Sequence, residues 1–260
     1  MVFTSNDELS TAIMNYVSDR SSAINIYGVM NCWNVSAVVD MSNLFSWKYY
    51  FNEDISCWDV SEVTNMNFMF NYAWSFNQKL NGWDVRKVLS MSGMFSSASA
   101  FNQELGNWVV GNVVDMSFMF SSASSFDQPV NMWDVSRVTT MTYMFHSAAK
   151  FNHDITDWNV SSVTSMDHLF QYAAKFNQAL DSWDVGSVTT MSYMFYNALA
   201  FSQSLCQWFN KAPHDPPTVT DIFKYSGCSI QIQPNFAVKQ PFCERCIPDT
   251  GSGGKFMVIE

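Results

Sequence analysis

The sequence predicts a right-handed α/β solenoid built from 25-residue coils, each carrying one short strand and one short helix, closed by a cap at either end. Three observations point there. Tryptophan recurs every 25 residues from Trp33 through Trp58, Trp83, Trp108, Trp133, Trp158 and Trp183 to Trp208, so that eight of the ten tryptophans stand on one comb. The text between tryptophans repeats without insertion or deletion over 33–207. The apolar residues keep fixed places in that text, as expected when each unit buries its face only against its neighbours.

The strand is expected just after each tryptophan. In Trp-Asp-Val-Ser the apolar residues alternate, and the following Val and Thr are β-branched. The helix is expected later in the repeat, where Met141, Met144, Phe145 and Ala148 follow i, i+3, i+4, i+7. Val stands two and five residues after Trp (Val35 through Val185, Val38 through Val188) and Met eight after (Met41 through Met191). Phe stands twelve and eighteen after (Phe45 through Phe195, Phe51 through Phe201). Stacked, each column becomes a ladder in one core. The Met column reads as packing against rings rather than as a soft-metal site. The column Asn52, Asn77, Asn102, Asp127, Asn152, Asn177, Ser202 reads as a corner ladder that satisfies backbone groups of the turn.

The organisation is an N-terminal helical cap (1–32), seven repeats (33–207), and a degenerate last coil with a C-terminal cap (208–260). Ser5 and Glu8 form a capping-box pattern ahead of the apolar face Leu9, Ala12, Ile13, Tyr16 and Val17, predicting a helix at about 6–18 over the first coil. Beyond Trp208, the proline-rich stretch Lys211–Pro217 reads as a loop. TVTDIFKYSGC at 218–228 reads as an eighth coil three residues out of phase. The stretch from 229 onward should carry short strands, and Gly251–Gly254 a flexible loop.

Strings of the type FNQSL, WDVSSVT and MSYMF, the last standing at 191–195, resemble the 25-residue repeats of BspA-like surface proteins, a branch related to leucine-rich repeats. The resemblance covers 33–207. It implies a leucine-rich-repeat-like solenoid, an extracellular or cell-surface location, and roles in adhesion and protein binding. It brings no catalytic motif. Core positions that hold leucine in ordinary leucine-rich repeats hold Trp, Met and Phe here.

Composition narrows the function classes. With 23 acidic against 13 basic residues the net charge is −10, which argues against nucleic acid, whose phosphates call for a basic stripe. No run reaches the ~18–20 apolar residues of a membrane span. No charged-then-apolar leader opens the chain, so a secreted protein would be present here in its mature form. No cofactor or metal is expected. The six cysteines are disulfide candidates: Cys32 and Cys57 lie 25 apart on adjacent coils, Cys206 and Cys228 bracket the last coil, and Cys243 and Cys246 form CERC. Their even number suits an oxidising compartment. Asn34 and Asn159 head glycosylation sequons.

The functional expectation is a binding or adhesion module with a protein or glycan partner at the cell surface. Its variable face is expected at Glu62, Arg86, Asn112, Arg137, Ser162 and Ser187 just after Trp, and at Asn71, Ser96, Ser121, His146, Gln171 and Tyr196 beside the Phe column. A structural module of a larger assembly is the runner-up. A lattice binder using the column Thr64, Thr139, Thr164, Thr189 is weaker, because Leu89 and Val114 interrupt it. So is a glycan-active enzyme, for which Asp154 and Asp157 would be the acidic pair.

Overall fold

The structure is a computed structural model that describes residues 1–211, 217–232, 234, 243, 246–248 and 256–258. Two helices open the chain. Helix α1 (Asn6–Ser18) is capped by Ser5, whose side chain accepts from the Glu8 amide. The Glu8 carboxylate reaches back to the Thr4 amide and hydroxyl, 2.9 Å each. Leu9, Ala12, Ile13 and Tyr16 are buried on one face, whereas Val17, assigned to that face from sequence, is half exposed. Helix α2 (Arg20–Tyr27) is capped by Asp19 and ends at Gly28, which has φ 77°. A 3-10 turn (Met30–Cys32) leads into the first coil.

The coils themselves hold neither the strand nor the helix that the sequence predicts, and the α/β reading with one strand and one helix per coil is overturned. Where a strand was expected, Trp-Asp-Val is extended for only a few residues. The chain then turns, with the Val63 amide donating to Val60, and the same bond recurs in every coil. One residue per coil makes a parallel bridge, in the series Asp40, Asn65, Ser90, Asp115, Thr140, Ser165, Thr190 and Thr218. Among the described residues the strands are β1 (Cys246–Pro248) and β2 (Phe256–Val258), an antiparallel pair in the C-terminal cap.

Where a helix was expected, the backbone forms a ribbon of consecutive turns. Residues ten and fourteen after each Trp are left-handed, for example Phe68 and Tyr72 (φ 55° and 56°) and Tyr143 and Ser147 (φ 59° and 55°). This alternation turns every second peptide group along the stack. The amides of Met116, Phe118, Phe120 and Ser122 donate to the carbonyls of Thr140, Thr142, Met144 and His146 in the next coil, at 2.7–3.2 Å. The amides between them close turns within the coil, as Ser121 does onto Phe118. An α-helix would keep all of these bonds inside one segment. Met141, Met144, Phe145 and Ala148 are fully buried, so the helical spacing identified the right side chains on the wrong backbone.

The forward-pointing bonds leave carbonyls open at the N-terminal end and amides open at the other. Asn6 on α1 meets the first set: its Nδ2 donates to the Asp40 and Ser42 carbonyls at 3.2 and 3.1 Å. At the far end 218–225 forms an eighth coil. Met191, Tyr193, Phe195 and Asn197 donate to Thr218, Thr220, Ile222 and Lys224, three residues out of the 25-residue phase. Gln231 accepts from the Tyr225 amide.

The core is a set of ring ladders. The two Phe columns stack within each coil (Phe120 on Phe126, 3.9 Å) and between coils (Phe95 to Phe120 to Phe145, 5.7 Å per step). The comb tryptophans are buried, and each indole N–H donates to a carbonyl of the preceding turn of the stack. Trp58 reaches Met30, Trp108 Leu80, Trp133 Leu105 and Trp208 Leu180, at 2.9–3.1 Å. This explains why the column is Trp rather than Phe or Leu: the ring fills the core and its one donor ties two coils together. Trp133→Phe keeps most of the ring but removes the indole bond to Leu105, whose carbonyl retains only the Trp108 amide, which should cost about 0.5–1.5 kcal/mol. In urea unfolding the midpoint should fall with little change in slope. An unchanged midpoint would show that the indole bond carries no weight.

Candidate functional site

The residue after each Trp opens a tight turn. The carboxylates of Asp59, Asp84 and Asp134 accept from the amide two residues on, at 3.0–3.2 Å. Asn34 and Asn159 use Oδ1 in the same way toward Ser36 and Ser161. Both sequon asparagines are exposed. Next to them lie Glu62, Arg86 and Arg137, exposed and joined to their own ladder. Lys87 pairs with Glu62 at 2.6 Å, Arg86 with Asp84, and Arg137 donates to Asn112 at 2.8 Å.

His146, Gln171 and Tyr196 belong to a different side of the coil, the turn ribbon. The structure gathers them with residues the sequence reading passed over. The left-handed positions ten after Trp form a stack of rings: Phe118 on Tyr143 (4.8 Å), Tyr143 on His168 (4.1 Å), His168 on Tyr193 (4.9 Å), all within 11° of parallel. His146 packs edge-on against Tyr143 and Tyr172, and Tyr196 against Tyr193, Tyr172 and Tyr225. Gln171 Oε1 meets His168 Nδ1 at 2.7 Å. Burial, then the neighbouring His168, lowers the His146 pKa. In coil three the ring column is interrupted. Phe68 fills the space where a Cβ on Gly93 would stand, and the other ribbon positions there are Ser96 and Ser97. A second aromatic group occupies coils one and two, where Trp47 stacks on Tyr72 and Tyr49 packs at a tilt against Trp74. These rings were missed because helical spacing gives no warning that positions ten and fourteen are left-handed. The available signal was that Trp47 and Trp74 are the two tryptophans off the comb.

The Asn column forms the corner ladder expected of it. Asn77, Asn102 and Asp127 each donate their amide to the preceding Asn Oδ1 at 2.9 Å. Gln78, Gln103, Gln128, Gln178 and Gln203 add side-chain bonds to the same asparagines. The threonine column is likewise engaged: Thr64, Thr139, Thr164 and Thr189 donate their hydroxyls to the carbonyl of the coil before. Asp154 and Asp157 are exposed, and the Thr156 side chain and amide hold the Asp154 carboxylate below its ordinary range.

Two cysteine pairings weighed from sequence are not formed. Cys32 and Cys57 are free and exposed. Their pairing assumed equivalent places on neighbouring strands, but Cys32 ends the 3-10 turn of the cap and Cys57 sits in a coil turn. Cys228 joins Cys243, so it does not pair with Cys206, which is disulfide-bonded itself. The Cys246 side chain, His214 and Gly251–Gly254 lie outside the described residues. Among the described residues no group of three His, Cys, Asp or Glu is placed to hold a metal, and no helix is long and apolar enough to cross a membrane.

The aspartates that open the coils set an acid limit. Asp84 is lowered from 3.8 to about 2, first by its side-chain bond with Arg86. Ser61 and Ser136 lower Asp59 and Asp134 in the same direction. A depressed carboxyl pKa stabilises the fold above the unfolded value, and that contribution is lost as pH falls through the folded value. The melting temperature should therefore drop between 3.8 and about 2. Asp84→Asn, which keeps the amide acceptor but cannot titrate, should show a shallower drop. Equal pH dependence of variant and wild type would contradict the assignment.

A family model described as "Mycoplasma protein of unknown function, DUF285" matches residues 11–133 and 120–224. No curated protein and no solved structure matches the chain. The two matched segments overlap and together span the second part of α1, all seven repeats and most of the eighth coil. The chain belongs to this DUF285 family of repeat proteins.

Proposed function

We propose that the chain is an extracellular or cell-surface binding module of the BspA-like kind, and that it meets its partner with the turn ribbon. The observation that carries this reading is the contrast between backbone and side chains there. The inter-coil bonds are the same from coil to coil. The residues presented on them change from Ser96 and Ser97 in one coil to His146, Tyr172 or Tyr196 in others. Large aromatic residues at left-handed positions are unfavourable for the backbone, and rigid rings with a polar edge are favoured contact residues in recognition surfaces. Tyr143, Tyr193 and Tyr172 stand at such positions, and Tyr172 is 41% exposed.

A structural module of a larger surface assembly would use the same face toward its neighbours. Lattice binding is less favoured, since the threonine hydroxyls are taken up by the protein's own carbonyls. Catalysis by Asp154 is less favoured too, since a general acid needs its pKa raised and this one is lowered.

The test is a biosensor panel of purified extracellular-matrix proteins and cell-surface glycans, probed with the wild type and with Tyr143→Ser/Tyr172→Ser/Tyr193→Ser. Serine stands at the position of Tyr172 in Ser97, Ser122 and Ser147, and the position of Tyr143 and Tyr193 is small and non-aromatic in Asn43 and Gly93, so the ribbon should tolerate the changes. At least one partner should bind the wild type, and the triple variant should bind it tenfold more weakly or worse. Undiminished binding by the variant, or no binding across the panel, would remove the proposal.

A further inference from the structure

Between the N-terminal helices and the first coil lies an open cleft of about 370 Å³, inside the ~300–1,000 Å³ range of small-molecule sites. Trp47 and Tyr49 line it from the coil, Tyr16 and Arg20 from the cap, and Asn52 and Glu53 from the coil corner. The two coil rings stand perpendicular, 6.2 Å apart. Each is backed by a ring of the next coil: Tyr72 covers one face of Trp47 at 4.0 Å and 7°, and Trp74 packs against Tyr49 at 4.3 Å. Trp47 remains 55% exposed. It stands at a left-handed position, φ 61°, that is serine in coils three, four and five. A bulky side chain in that conformation is strained, and such strain gathers at binding sites.

A second observation concerns the Asn ladder, which begins in this cleft. Along the ladder an amide donates to the Asn Oδ1 of the preceding coil, but Asn52 is the first rung and has no preceding asparagine. Its N–H has no partner among the described residues, while its Oδ1 is taken by Asn77 and Gln78. The next position, which is Gln in Gln78 and Gln103, is Glu53 here. Glu53 Oε2 accepts from Arg20 Nη2 at 2.9 Å, and Arg20 Nε donates to the Tyr16 hydroxyl at 3.1 Å. Arg20 Nη1 and Glu53 Oε1 have no protein partner among the described residues. The cleft therefore combines two fixed ring faces with two unpaired donors and an unpaired acceptor, and its Arg and Glu charges offset each other.

We propose that this cleft is an oligosaccharide site for neutral β-linked pyranose units, a deepening that rests on the binding-module reading. A pyranose ring has a flat C–H face suited to stacking on an aromatic ring and hydroxyls that both donate and accept. The balanced Arg20–Glu53 pair does not call for an ionic ligand. The stacking partner is Trp47. Arg20, Glu53 and the Asn52 amide address hydroxyls at the ring edge.

The experiment is calorimetric titration of the full chain with cellohexaose, chitohexaose and β-1,4-mannohexaose. At least one should bind with a micromolar to millimolar Kd. Trp47→Ser installs the residue that other coils carry and should leave the urea midpoint near wild type while weakening binding at least tenfold. Glu53→Gln, the usual residue of that column, should weaken it severalfold. Lys150→Ala, at an exposed position four coils away, should change nothing. No heat with any of the three sugars, or wild-type binding by a folded Trp47→Ser, would overturn the site. A protein partner that binds regardless of Trp47→Ser while the sugars give no heat would overturn the site and leave the module reading intact.

Discussion

The inter-coil backbone bond is the constraint on which the rest of this molecule depends. Four amides per coil point forward to carbonyls of the next coil. They can do so because two residues per coil are left-handed and flip alternate peptide groups. An insertion inside the turn ribbon would break the register of these bonds, whereas the three extra residues ahead of Thr218 lie outside the ribbon and leave all four intact. The same direction of bonding dictates the ends. Asn6 is needed where carbonyls emerge, and an acceptor such as Gln231 where amides do. The indole bonds of the Trp column run the other way, from each coil back to the one before, so neighbouring coils are tied in both directions.

Much of the core was legible because burial repeats with the sequence. The Trp, Val, Met and Phe columns are all buried, the α1 boundaries follow from Ser5 and the apolar spacing, and the offset of 218–228 showed where the eighth coil would lie. The backbone of each coil was not legible. A spacing of i, i+3, i+4, i+7 describes which side chains share a side, and a ribbon of turns with left-handed residues four apart satisfies it as well as a helix does. Alternation after Trp was equally ambiguous, since three extended residues before a turn alternate just as a strand does. The cysteine pairing failed for the same reason: it borrowed strand spacing for Cys32 and Cys57, which sit in unlike turns.

The candidate site was half legible. His146, Gln171 and Tyr196 were picked out as variable, and they do lie beside the half-buried ring column. Glu62, Arg86 and Arg137 were picked out by the same criterion and lie on another corner, tied to their own neighbours. Phe118, Tyr143, His168 and Tyr193 were invisible, because helices packed about 8–10 Å apart would hold equivalent residues of successive coils too far apart to stack. The scaffold has thus separated two tasks. Columns that must be identical hold the coils together, and left-handed ribbon positions, which the backbone fixes regardless of side chain, are free to carry rings in some coils and serine in others.

The most direct test of this account is whether the amide of Phe120 bonds across coils or within one. Through-hydrogen-bond scalar coupling in isotope-labelled protein identifies the acceptor. The account predicts coupling from the Phe120 amide nitrogen to the Met144 carbonyl carbon, its partner in the next coil at 2.9 Å. Coupling to the Met116 carbonyl, four residues back as in an α-helix, would contradict it.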